Sequence, residues 1–157
     1  MKVAIIVGSK NDADKIKSTA KALNELQVPY KAFAMSAHRI PEELTKTLKE
    51  LEDDGYEVII AAAGLAAHLP GVVASKTILP VIGLPINAAL NGLDSLLSIV
   101  QMPPAIPVAT VGIDAGYNAG ILAAQILGIK YPELQKRLTT MRQEMKNKLI
   151  NEKNLEL

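Results

Sequence analysis

"VIIAAAGLAAHLPGVVA", residues 58–74, is the longest apolar stretch in the chain, and its reading decides the fold. A span of a bilayer needs roughly 20 apolar residues, and this run is shorter and interrupted by His68 and Pro70. It reads instead as a buried strand, Val58 to Ala63, followed by a loop and a short helix, Gly71 to Ile78. A strand apolar on both faces belongs in the middle of a parallel sheet covered by helices.

Working outward, the same alternation recurs. Apolar runs at Val3 to Val7, Tyr30 to Met35, Val81 to Leu84 and Val108 to Val111 supply four more strands. Amphipathic segments lie between them. Asp12 to Leu26 carries Ile16, Ala20, Leu23 and Leu26 at helical spacing, and Pro41 to Leu51 opens with a first-turn proline and two glutamates. Leu93 to Val100 and Gly116 to Leu127 read as further helices. The expected fold is α/β, a three-layer doubly wound parallel sheet of five strands. Residues 1–129 form one domain, and 130–157 a C-terminal helical extension. In that extension Leu134, Leu138, Met141, Met145 and Leu149 make a thin apolar line on a charged helix, which fits packing on its own domain or on a neighbouring subunit.

Composition removes several classes of function. The 157 residues are 49% hydrophobic with net charge +1, so one packed domain is expected, with no broad attraction to nucleic acid or to an anionic membrane. No cysteine is present, which excludes disulfides, thiolate catalysis and cysteine-bound metal. The two histidines stand in neither HxxxH nor HExxH, so no metal site is expected. The apolar run after Met1 is about five residues, short of a signal peptide, and a cytoplasmic protein is expected. Aromatic residues are 3% of the chain with no Trp, leaving few surfaces on which a base or flavin could stack.

Ligands of open α/β sheets bind beyond the carboxyl ends of the strands, which selects three loops. In "GSKND", residues 8–12, Gly8 frees the backbone to turn, Ser9 offers a hydroxyl, and Asp12 either accepts from a sugar hydroxyl or caps the helix. This loop is neither a P-loop nor a GxGxxG turn. In "SAHR", residues 36–39, Ser36 and Arg39 can donate to a phosphate, and His38 between them can move protons near neutrality. In the third loop His68 has two readings, a histidine hydrogen-bonded inside a buried turn or a direct catalytic group.

Taken together, "VGSKND", "SAHRIPEEL", "AAHLPG", "TILPVIGLPI", "LDSLLSIVQMP" and "IPVATVGI" resemble, in order from Lys2 to about Leu127, the PurE family of purine biosynthesis. That resemblance implies a flavodoxin-like fold and a homo-octamer whose C-terminal helix reaches a neighbouring subunit. It implies a mutase that moves a carboxylate from the exocyclic N5 of an aminoimidazole ribonucleotide to ring carbon C4, with no metal or cofactor. An ATP-dependent synthase would supply the N5-carboxy substrate. By the same resemblance Ser9 and Asp12 hold the ribose and phosphate end with Gly8, Ser36 and Arg39 clamp the phosphate, and His38 is the general acid/base. Ala63, Gly64, Ala67, His68 and Leu69 enclose the base and the migrating carboxylate.

The chain departs from the family pattern "AGAGGAAHLPG" by placing Ala62 and Leu65 where glycines are usual, and it has Pro104 and Ala105 where a polar residue and glycine are commoner. A left-handed φ at 65 would cost leucine on the order of 1 kcal/mol, and its side chain would fill part of the pocket. The rivals are a direct carboxylase using free CO2, whose loop typically lacks "AHLPG", and an inactive PurE-like binding or assembly protein. A receiver domain would need an aspartate after the third strand, where this chain has "AAAG".

Overall fold

The computed structural model describes residues 1–154; the end of the C-terminal extension, 155–157, lies outside the described residues. Five parallel strands, β1 (Val3–Val7), β2 (Tyr30–Ala34), β3 (Val58–Gly64), β4 (Val81–Ile86) and β5 (Ala109–Thr110), form one sheet in the order β2-β1-β3-β4-β5. This is the flavodoxin-like order, with its reversal at β1 and β3. The helices are α1 (Lys17–Glu25), α2 (Pro41–Asp53), α3 (His68–Ala74), α4 (Leu93–Val100), α5 (Gly116–Gly128) and α6 (Pro132–Asn151).

The period of two along each strand divides the core into two layers. Val3, Ile5 and Val7 of β1, Val58, Ile60 and Ala62 of β3, and Ile82 and Leu84 of β4 pack towards α1 and α5. Ala4, Ile6, Ile59, Ala61 and Ala63 point the other way, to meet Leu44 and Leu48 of α2, Val73 of α3 and Ile99 of α4. Each fully buried Val or Ile stabilises the fold by roughly 1.5–3 kcal/mol over leaving it exposed, so both layers hold the sheet. The exposed edges are blunted: β2 carries Lys31 on an open face and β5 has two residues.

Three local expectations need correction. The first helix begins as a 3-10 turn, Lys10–Ile16, because "KNDADK" has no apolar stripe to reward α geometry before Ile16 is buried. The third helix starts at His68 rather than Gly71 and ends at Ala74 rather than Ile78. Pro70 does not delay it, since a first-turn proline lacks only an N–H that would be unpaired anyway. The strands β3 and β4 run one and two residues longer than expected, β2 ends one residue earlier, at Ala34, and β5 has two residues, Ala109–Thr110, rather than Val108 to Val111.

The extension folds back on its own domain through its first half. Leu134 is fully buried, Leu138 and Met141 pack against the α1/α5 layer, and Arg137 donates to the Leu26 carbonyl at 2.8 Å. Farther along, Met145, Leu149 and Ile150 are exposed.

Candidate active site

The loops after β1, β2 and β3 meet at the carboxyl edge of the sheet around a cavity of about 320 Å³. Its walls include Gly8 and Asp12, Ser36 to His38, and the continuous run Ala63 to Leu69. Thus the three loops selected from the sequence converge at the reversal of strand order.

The two histidines touch. His38 Nε2 lies 2.8 Å from His68 Nδ1, with the rings edge to face at 88°. Both rings are exposed, so the reading of His68 as a histidine inside a buried turn is wrong. Its position follows from the chain path: β3 ends at Gly64, Leu65 to Ala67 turn the backbone, and His68 is the first residue of α3. One ring nitrogen must donate and the other accept, so a single proton is shared between them. Such a pair can take up a proton at one ring and stay hydrogen-bonded through the other.

The remaining candidates fall into two groups. Asp12, Gly8, Ser36, Ala63, Gly64, Ala67 and Leu69 line the cavity with the histidines. Ser9 and Arg39 are adjacent in the chain to lining residues but are not among them. The Ser9 Oγ accepts from the Asn11 N–H at 3.2 Å, so Ser9, rather than Asp12, caps the turn after β1 and leaves the Asp12 carboxylate towards the cavity. Ser36 Oγ accepts from the Arg39 N–H at 3.3 Å, and the Arg39 guanidinium donates to the Gly8 carbonyl at 3.4 Å. That last contact ties the second loop to the first and keeps a fork of cationic donors beside both.

Gly64 is favoured by close approach. A Cβ there would meet Ala88 Cβ at 3.0 Å and the Ile86 carbonyl oxygen at 3.2 Å. The chain leaves its pairing with β4 after Gly64, and Leu65 takes a φ of 56°. Ala105 likewise has a φ of 72°. Two positions that carry other residues in place of a usual glycine are thus left-handed, so the cost weighed for Leu65 applies. Ala62 is different: it is buried in the α5 layer and does not line the cavity.

Ala37 and Ala66 also line the cavity, and sequence reasoning missed them because a methyl group carries no chemical signature. Among the described residues no group of three or more His, Asp or Glu is placed to hold a metal, and no helix is long and apolar enough to cross a membrane.

Comparison with known proteins reaches nearly the full chain. The family model described as AIR carboxylase matches residues 2–148. An N5-carboxyaminoimidazole ribonucleotide mutase of Pyrococcus abyssi is 58% identical, covering 92% of this chain and 84% of that protein. A protein of the same name from Thermotoga maritima is 52% identical, covering 95% and 88%. Among solved structures, that of Treponema denticola PurE superposes with a TM-score of 0.88 at 28% identity, covering 96% of this chain and 94% of that one.

Proposed function

The chain belongs to the AIR carboxylase family, and on that premise we infer that it is an N5-carboxyaminoimidazole ribonucleotide mutase of purine biosynthesis, an enzyme of the isomerase class. The observation that carries the chemistry is the contact of His38 with His68 at 2.8 Å inside the cavity at the β1/β3 reversal.

The reaction moves one carboxylate and one proton. The bond from N5 to the carboxylate carbon breaks, its electron pair stays on nitrogen, and N5 gains a proton. The ring is then an enamine whose C4 attacks the released CO2. The proton on C4 must leave to restore aromaticity. Since one proton is delivered at N5 and one is removed at C4, an acid/base that cycles between the two atoms closes the balance without a cofactor. His38 is that group, and its bond to His68 orients the ring and shares the proton. Ser36 and Arg39 hold the phosphate with Gly8 and Ser9, and Asp12 accepts from the ribose hydroxyls. The small walls of Ala63, Gly64, Ala67 and Leu69 confine the base and CO2.

We place the enzyme in the cytoplasm as a homo-octamer that draws its substrate from an ATP-dependent synthase. What supports assembly is the pair of exposed apolar faces, Leu93, Leu97 and Val100 on α4, and Met145, Leu149 and Ile150 on α6. The second half of α6 would then seat on a neighbouring subunit. Sedimentation would read eight copies; a monomer at working concentration would contradict this.

The test of the function is conversion of N5-carboxyaminoimidazole ribonucleotide to its C4-carboxy isomer in buffer freed of bicarbonate. Prompt isomerisation supports the mutase. Product that forms only after bicarbonate is added, or never, rejects it.

A further inference from the structure

Within the single subunit Leu65 holds an unfavourable backbone conformation without the compensation that burial would bring. Its φ of 56° places a γ-branched side chain in the left-handed region, which costs an L-residue roughly 1–2 kcal/mol. More than half of it, 57%, remains exposed, so little apolar burial offsets that cost. The Gly64 backbone lies close to Ile86 and Ala88, and a glycine at the next position would hold the same φ without that cost. Strain kept where a cheaper residue fits points to a function at the place where it is kept.

That place is the wall of the cavity. Leu65 lines it together with His38 and His68, while the neighbouring walls Ala37, Ala63, Ala66 and Ala67 offer only methyl groups. Leu69, which also lines the cavity, is buried. Among the lining residues Leu65 is therefore the large aliphatic group that is exposed, so its side chain stands where the cavity meets solvent.

We propose that Leu65 is a retention residue, whose side chain closes the mouth of the pocket over CO2 while the latter is bonded to neither N5 nor C4. The proposal rests on the mutase reading, in which CO2 is free for part of each turnover. CO2 carries no net charge for Arg39 or the histidines to hold, so its partition between attack by C4 and escape depends on the walls. The same side chain keeps water from the enamine.

The experiment follows the fate of the carbon. Substrate labelled with carbon-13 in the N5 carboxylate is converted in buffer containing unlabelled bicarbonate, by the parent, by Leu65→Ala and by Leu65→Gly. The readouts are the labelled fraction of the C4-carboxylate product and the amount of decarboxylated ribonucleotide formed per product. Thermal unfolding checks that each variant is folded. The parent is expected to retain its label, and both variants to lose about fivefold more of it to the bulk. Equal retention by the parent and both variants overturns the proposal. Loss with Leu65→Gly but not with Leu65→Ala assigns the effect to the backbone and overturns it as well. Absence of product from the parent rejects the mutase reading itself, and the proposal with it.

Discussion

The two edges of the sheet both turn through left-handed residues, yet they treat them differently. At the amino edge Gln27 and Gly55, with φ of 54° and 75°, follow the ends of α1 and α2. Each closes a paired cap: Val28 N–H donates to Leu23 at 2.8 Å and Gln27 N–H to Asn24 at 3.0 Å, while Tyr56 donates to Leu51 and Gly55 to Glu52, both at 3.0 Å. These are Schellman caps, and they satisfy carbonyls that the helix ends would leave open. At the carboxyl edge Leu65 follows a strand, and no cap of that kind closes on it. Gln27 and Gly55 serve the fold, whereas on our proposal Leu65, in the cavity with the histidines, serves the site.

The amino edge is also fastened by charge. The Glu57 carboxylate, just before β3, accepts from Tyr131 at 2.6 Å and from Lys130 at 2.9 Å, and pairs with the amino group of Met1 at 2.9 Å. Burial alone would raise its pKa, but hydrogen bonds from Tyr131, Lys130 and that amino group outweigh burial and hold it down to about 2, against an ordinary 4.5.

This contrast can be broken at four places. The largest effect is expected where a missing Cβ is demanded by packing: in Gly120→Ala the new methyl would lie 2.8 Å from Ala22 Cβ and 2.9 Å from the Thr19 carbonyl oxygen. Prising α5 from α1 should cost about 1–3 kcal/mol, read as a lower urea midpoint. Next comes Glu57→Gln, which removes charge-assisted bonds and should cost about 1–2 kcal/mol near neutrality. A carboxyl whose folded pKa is depressed stabilises fully above its unfolded value and loses that contribution as pH falls. The gap between parent and Glu57→Gln should therefore shrink from about pH 4.5 downward and close by about pH 2; a gap that stays constant with pH would deny the carboxylate this role. Third, Leu65→Gly should raise stability by about 1 kcal/mol, since it relieves the left-handed strain; a fall in stability would mean that packing, not function, keeps the leucine. The smallest change is expected for Gln27→Gly, within about 0.5 kcal/mol, because relief of strain is opposed by greater freedom of the unfolded chain.

Much of this arrangement was legible in the sequence. Apolar runs apolar on both faces placed β1, β3 and β4, and the rule that ligands sit beyond strand ends picked out His38, His68, Ser36 and Asp12 before any geometry was known. Periodicity misplaced the start of α3, because Pro70 looks like a helix boundary although the first turn tolerates it. The division of labour in the first loop was also hidden: serine and aspartate cap turns equally well, and only hydrogen bonding assigns the cap to Ser9 and frees Asp12. Nor could spacing bring the two histidines to 2.8 Å, since they come from loops 30 residues apart on strands that β1 separates.

The most direct test of the central claim, that this histidine pair moves the proton, is the rate of N5-to-C4 carboxylate transfer by folded His38→Asn beside the parent. The account predicts a loss of about 10²- to 10⁴-fold, the usual contribution of a positioned acid/base. A variant that isomerises the substrate as fast as the parent would contradict it.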